Sequence, residues 1–205
     1  MLAEGLKKLG IEPTEMQAKQ LDMYINELMI WNDKLNLVSI RSRDELIGRH
    51  VLDCLAGLEA VRELPGDTVA DVGSGAGLPG LLFAIFMEDR SFSLIERSGK
   101  KAGFLRTSAA LLGMADRVEV LDKDLKEVRG SFDIVTLRAF REFGDFYPLL
   151  NRITASGGTV AAFKAKRASV DADLSAAGLN AGDAEVRTLE VPFLPEERHM
   201  LLVRL

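Results

Sequence analysis

The sequence contains a single cysteine, Cys54, and only two histidines, His50 and His199. One thiol cannot close an intramolecular disulfide, and these residues offer no zinc-type ligand spacing, so neither a disulfide framework nor a metal site is expected. Cys54 reads as a small buried apolar residue. Long apolar runs are also missing: LLFAIFM at 81–87 falls far short of the roughly 18–20 residues that span a bilayer. The N-terminus lacks the basic-then-apolar pattern of a secretory leader, so the expected location is cytoplasmic with no membrane partner. An excess of positive charge is absent as well, because 26 Lys and Arg face 31 Asp and Glu for a net charge of −5. That balance argues against a protein that coats nucleic acid, and it leaves room for a local basic face.

What is present suffices for a folded chain. With 205 residues, 47% hydrophobic and 28% charged, it can bury a substantial core as one globular domain with an appendage. Up to about Leu64 the pattern is helical. Met16, Leu21, Tyr24, Ile25, Leu28 and Trp31 recur at three- and four-residue steps, with Thr14 as N-cap and Gln17 three residues later. Trp31 in this stripe reads as core. A second helix is expected over SRDELIGRHVLDCLAGLEAVREL (42–64), capped by Ser42 with Glu45 at the capping-box position. Pro65 to Asp67 then breaks the chain, dividing a helical part, 1–64, from an α/β part, 65–205.

Beyond Thr68 short β-rich runs alternate with helical segments: TVADVG, SFSLIE, RVEVLD, FDIVTL and GGTVAAFK. This rhythm predicts a doubly wound, mostly parallel sheet. AEVRTLEV and HMLLVRL are separated only by the proline-broken PFLPEER, and they are expected to pair as a C-terminal antiparallel hairpin.

The stretch DVGSGAGLPG, Asp71 to Gly80, sits at the first strand-to-helix turn, where ligands bind in such sheets. From Gly75 it fits the G-x-G-x-x-G pattern of dinucleotide sites. A fixed carboxylate at Asp71 is unwelcome beside a pyrophosphate and welcome beside a cation. S-adenosylmethionine carries an ammonium and a sulfonium, so Asp71 favours this methyl donor over NAD, with Gly73, Ser74, Gly75 and Gly77 letting the backbone lie against it. Pro79 is expected in the first turn of the next helix. Glu96, ending the second strand, suits a pair of ribose hydroxyls and serves either ligand. No hydride-transfer acid or catalytic tyrosine is evident for the oxidoreductase alternative.

The fourth strand ends in Leu137, Arg138, Ala139 and Phe140, beside the reacting centre of this architecture. Arg138 can donate hydrogen bonds and cannot accept them. It therefore suits the donor carboxylate, a phosphate or an acceptor-rich base edge, and a structural ion pair explains it equally well. Guanine N7 and O6 form such an edge. N7 has an in-plane lone pair, so methylation there requires alignment and no base.

RHVLDC (49–54), DVGSGAGLPG (71–80), SLIERSGKKAGFLRT (93–107), LRAF (137–140), AFKA (162–165) and ERHMLLV (197–203) occur in this order in the sequence. From about Trp31 onward the chain resembles the bacterial 16S rRNA guanine-N7 methyltransferases called RsmG or GidB. The resemblance implies a class I S-adenosylmethionine-dependent methyltransferase domain at 65–205 with an N-terminal helical extension at 1–64. It also implies action on guanosine 527, in rRNA numbering, of the small ribosomal subunit or its assembly intermediate; a monomer is expected because no heptad or large exposed apolar stripe compels a dimer. Donor contacts carried over are Gly73, Leu78, Leu125, Lys126 and Arg138, with Asp124 placed to accept from the adenine amine. Leu137 stands where such proteins often have Ser, and Ala165 where they usually have Gly. Sequence-specific reading of RNA favours unstacked loops. Arg49, His50, Lys100, Lys101, Lys164 and Arg198 are expected as an RNA-facing rim; His50 and His199, each next to an apolar segment, suit packed, hydrogen-bonded positions equally well.

Overall fold

The computed structural model describes residues 1–138 and 143–205, apart from the side chains of Ser169 and Ala181. Ala139 and Phe140 of the LRAF motif, and the neighbouring Arg141, lie outside the described residues.

Helix α1 (Leu2–Lys8) precedes the long α2 (Glu15–Leu35). Helix α2 starts where expected: Thr14 Oγ1 accepts the Gln17 N–H, and the Gln17 side chain accepts the Thr14 N–H in return, satisfying two otherwise orphaned donors. It ends at Asn36, whose φ of 47° is left-handed. Its buried stripe of Leu21, Tyr24, Ile25 and Leu28 faces the sheet domain.

Residues 42–64, expected as one helix, form a broken series instead. Ser42 caps α3 (Arg43–Leu46) by accepting from the Glu45 N–H. The Glu45 carboxylate reaches one residue further back than a capping box requires and accepts from Arg41 N–H at 2.8 Å. A π-helical turn, Ile47–Val51, follows and leads into α4 (Leu52–Leu55). A break at Ala56 and Gly57 precedes α5 (Leu58–Arg62). Gly57 is packed so closely against the ends of the Met200 and Phe163 side chains that a Cβ would collide with both.

Seven strands form one sheet: β1 (Thr68–Val72), β2 (Ser91–Ile95), β3 (Val118–Leu121), β4 (Phe132–Leu137), β5 (Thr154–Lys164), β6 (Ala184–Thr188) and β7 (His199–Arg204). Their order is β3-β2-β1-β4-β5-β7-β6. The first five are parallel, and β7 pairs antiparallel with both β5 and β6, giving the expected mostly parallel sheet with its terminal hairpin. Helices α6 (Gly80–Phe86) and α7 (Gly99–Leu111) pack with the N-terminal helices over one face, while α8 (Phe143–Ile153) and α9 (Arg167–Ala176) cover the other. Pro79 is the N-cap of α6, one position earlier than expected.

Between β1 and β4 the strand order reverses direction, which opens a crevice at their carboxyl ends. Val72 and Leu137 are register partners. Gly73 and Arg138 therefore leave the sheet side by side, although 65 residues separate them in the chain.

Because the α2 stripe belongs to the same buried cluster as Leu81, Phe83 and Phe104, Leu28→Ala is expected to destabilise the whole chain by about 2–5 kcal/mol. Denaturation monitored on Trp31 and on far-UV ellipticity checks this. A single shifted transition is expected, whereas selective early melting of the N-terminal helices would show that they fold independently.

Candidate active site

The loop after β1 is fastened from below, from the side and from above. Asp71 is 1% exposed; one of its oxygens accepts the Gly80 N–H at 3.2 Å and the other the Thr136 hydroxyl at 3.0 Å. Burial pushes its carboxyl up to about 6, against the hydrogen bonds that favour the anion. Asp71 therefore stands beneath the loop and ties its exit to β4. Ser74 Oγ donates to the Asp71 carbonyl, and the amides of Gly73 and Ser74 donate to the Ile95 carbonyl at the end of β2. From α2, the buried Tyr24 hydroxyl donates to the Ala76 carbonyl at 2.8 Å. The helical pattern had marked Tyr24 only as part of an apolar stripe.

Gly73, Gly75 and Gly77 have φ of 70°, 53° and 81°, where a side chain is strained. At Gly77 a Cβ would also strike Leu81, whereas at Gly75 it would meet nothing closer than the Gly73 carbonyl at 3.7 Å. Open space at Gly75 lets a ligand approach the backbone closely. Glu96 closes the side of this cradle. Its two oxygens accept from Gly75 N–H at 3.0 Å and Ser98 N–H at 2.8 Å, and a carboxylate has acceptor capacity beyond those two bonds.

After β3, Asp124 caps the short 3₁₀ turn Leu125–Glu127 by accepting from Lys126 N–H, while Glu127 accepts from Asp124 N–H. Arg152 on α8 donates to the Leu125 carbonyl at 2.9 Å and anchors this third strand-end loop. Leu125 and Leu78 are buried, and Lys126 is exposed.

Arg138 is held on both sides. Nη1 donates to Asp53 Oδ2 at 3.0 Å and lies 3.4 Å from Cys54 Sγ; Nη2 lies 2.7 Å from His50 Nδ1. Guanidinium has no acceptor, so His50 Nδ1 is the acceptor and the ring is neutral. Its other nitrogen then carries the ring proton. Burial, and next the Arg138 charge, push the His50 pKa down to about 4. Cys54 is buried as expected, and burial pushes its thiol up to about 12, so it stays protonated. The second Asp53 oxygen accepts from Arg198 Nε at 2.8 Å. Burial pushes the Asp53 carboxyl up, and the two guanidiniums work against that rise.

A cavity of about 390 Å³ opens on this cluster and is lined by Arg49, His50, Arg138, Lys164 and Arg198 together with Glu45 and Asp53. Four of the six expected rim residues thus converge, though in different states. Arg49 is exposed, within 3.4 Å of Glu196 and 3.6 Å of Glu45. Lys164 is buried, ion-paired to Asp173 at 2.8 Å and stacked over the Phe143 ring at 4.8 Å. Lys100 and Lys101 head α7 beyond β2 and do not line this cavity. His199 is buried, 3.5 Å from the Thr188 hydroxyl. Trp31 packs on Phe104 with ring centroids 5.9 Å apart. A second cavity, about 490 Å³ and mostly apolar, lies between α1 and α2 away from the strand ends. Among the described residues, no three His, Cys, Asp or Glu side chains group as metal ligands, and no helix is long and apolar enough to cross a membrane.

Asp53 is the residue that sequence reasoning missed. It lies three residues after His50 on one helical face, and that spacing is visible; its partners Arg138 and Arg198 come from the ends of β4 and β7 and are not.

A neutral His50 makes stability pH-dependent in a known direction. The unfolded imidazole takes a proton near 6.5 and the folded one near 4, so between these values the unfolded state binds more protons. His50 therefore contributes stability that is complete above about pH 6.5 and is lost as the pH falls toward 4. Urea denaturation of the wild type and His50→Gln is expected to show a stability difference that shrinks from pH 7 to pH 4.5. A constant difference would mean that His50 is not held neutral.

The family model described as rRNA small subunit methyltransferase G (GidB) matches residues 17–201. A ribosomal RNA small subunit methyltransferase G from Borrelia turicatae is 37% identical over 172 residues, covering 83% of each chain. One from Laribacter hongkongensis is 34% identical over 206 residues, covering 98% of this chain and 95% of the relative. Among solved structures, a predicted O-methyltransferase from Agrobacterium tumefaciens aligns with a TM-score of 0.61 at 26% identity, covering 75% of this chain and 79% of the other. A tRNA (m1A58) methyltransferase from Aquifex aeolicus aligns with a TM-score of 0.59 at 14% identity, covering 73% and 67%, and shares the fold alone. Glycine loop, strand order and basic cavity thus occur in a chain whose match spans nearly its whole length, and the chain belongs to the rRNA small subunit methyltransferase G family.

Proposed function

We propose that this protein transfers a methyl group from S-adenosylmethionine to N7 of guanosine 527 in 16S rRNA, acting on the small ribosomal subunit or its assembly intermediate. The observation that carries this reading is the adjacency fixed by the Val72–Leu137 register: the glycine cradle and Arg138 emerge together, and the basic cavity opens on Arg138.

The cradle fits the donor. A Cβ at Gly75 would meet nothing closer than the Gly73 carbonyl, which suits close approach of a nucleoside to the backbone, and Glu96 can accept from ribose hydroxyls while keeping its bonds to Gly75 and Ser98. The Asp124–Lys126 turn borders the adenine side. Asp71, buried with both oxygens hydrogen-bonded, acts by holding the loop and the start of α6 in place. S-adenosylmethionine, when bound, supplies a methyl carried on a positive sulfur, whose departure leaves a neutral thioether.

The chain's own task is alignment. Guanine N7 carries no proton, so the site needs no general base; His50 Nδ1 is occupied by Arg138, and Asp53 is shared by two arginines. Arg138 retains N–H donors beyond those used for Asp53 and His50, and these suit guanine O6 or the donor carboxylate. Arg49 and Arg198 supply the cationic wall for the RNA backbone. Lys100 and Lys101, on the donor side of the same strand ends, are placed to meet a longer RNA stretch.

Transfer of labelled methyl to small-subunit rRNA lacking its own N7 modification, with borohydride and aniline cleavage to locate the product, tests this reading. Cleavage at one loop guanosine is expected, with Arg138→Ala reducing turnover about 100-fold at equal folded fraction. Donor binding without transfer to either free rRNA or intact subunits would redirect the search to another acceptor. Undiminished turnover in Arg138→Ala would remove that residue from the mechanism.

A further inference from the structure

Asp53 lies at the junction of three segments remote in sequence. It belongs to α4, immediately after the π-helical turn, and is 6% exposed. One oxygen takes Arg138 Nη1 from the end of β4, and the other takes Arg198 Nε from the residue before β7. Splitting the carboxylate between two guanidiniums fixes the spacing between them as well as the orientation of each. His50, one helical turn earlier, takes the other Nη of Arg138. Arg198 also donates from Nη1 to the neighbouring Glu197 carbonyl at 2.8 Å. Both arginines and Asp53 line the same cavity, and one carboxylate cannot neutralise two guanidiniums. The pair thus presents a surplus positive charge toward an RNA acceptor at a set separation.

We propose that Asp53 is a positioning residue for methyl transfer: it aligns Arg138 and Arg198 as a matched pair facing the acceptor cavity, so that the two cations engage one bound nucleotide together. This rests on the RNA-acceptor reading above for its catalytic meaning, and on the geometry alone for its physical content. The role requires charge and two acceptor oxygens at that point. Asparagine offers one acceptor and places an amide against the second guanidinium, where donor meets donor.

Two measurements test it. Side-chain NMR on ¹⁵N-arginine-labelled protein is expected to show slow guanidinium rotation for both Arg138 and Arg198 in the unaltered chain, because each is held by at least two partners. In Asp53→Asn, which keeps only one acceptor, at least one of the two guanidiniums is expected to rotate faster than in the unaltered chain, with Nε–H exchange of Arg198 faster by about tenfold where Arg198 is the one released. Free rotation of both arginines in the unaltered protein, or unchanged signals in Asp53→Asn, overturns the proposal, and the first of these needs no variant to fold. The second measurement is a double-mutant cycle on kcat/KM for rRNA. Asp53→Asn is expected to lower it about 10–100-fold at unchanged donor affinity, and far less in an Arg198→Gln background, because the two residues act as a unit. Equal losses in both backgrounds would overturn the proposal, since they would show that Asp53 acts on transfer without Arg198. If the unaltered protein transfers no methyl to rRNA, the reading of the reaction fails, and the NMR result still decides whether Asp53 aligns the pair.

Discussion

Everything at the site depends on the register of two parallel strands. Pairing of Val72 with Leu137 brings the glycine loop and Arg138 out at the same level of the sheet, and a slip of one residue would turn Arg138 toward the opposite face. That register is maintained from below by Asp71, which joins β1 to β4 through Thr136 and to α6 through Gly80. A carboxylate so deeply buried is costly unless its oxygens are hydrogen-bonded. Here both are, and the cost is spent on fixing three elements at one point.

The N-terminal helices complete the site from the other side. Tyr24 on α2 holds the crest of the glycine loop through Ala76, while His50 and Asp53 grip Arg138. Replacing such buried ion pairs by apolar groups often leaves stability unchanged or improved, whereas removing one partner strands the other charge. Arg138, Asp53 and Arg198 are therefore poorly explained as a source of stability. Their arrangement makes better sense as orientation of donors toward a cavity. Other arginines here have purely architectural work: Arg90 donates to carbonyls 61, 62 and 64 at the end of α5, and Arg117 to the carbonyl of Ala84 in α6.

What the sequence made legible follows from the range of the interactions involved. The Thr14–Gln17 capping box, the seven strand runs, the hairpin of β6 and β7 and the positive-φ glycines are local, and local chemistry determines them. The π-helical turn at Ile47–Val51 and the break at Ala56 and Gly57 were not legible, because the helical period of the apolar residues runs through both. Gly57 packs against Phe163 and Met200, more than one hundred residues away. Basic residues were equally ambiguous in isolation: Lys164 and Arg198 belong to one cavity only because β5 and β7 are neighbours, and Lys100 and Lys101 fall outside it because β2 lies on the other side of β1. Asp53 lay within a visible motif, but a carboxylate acquires meaning only from its partners.

A crystal structure of the protein with S-adenosylhomocysteine bound tests the central claim most directly. The account predicts that the ribose hydroxyls lie within hydrogen-bonding distance of Glu96, that the nucleoside rests over Gly75, and that Arg138 keeps its contacts with Asp53 and His50. Binding of the nucleoside away from the glycine loop, or Arg138 released from both partners when the loop is filled, would contradict it.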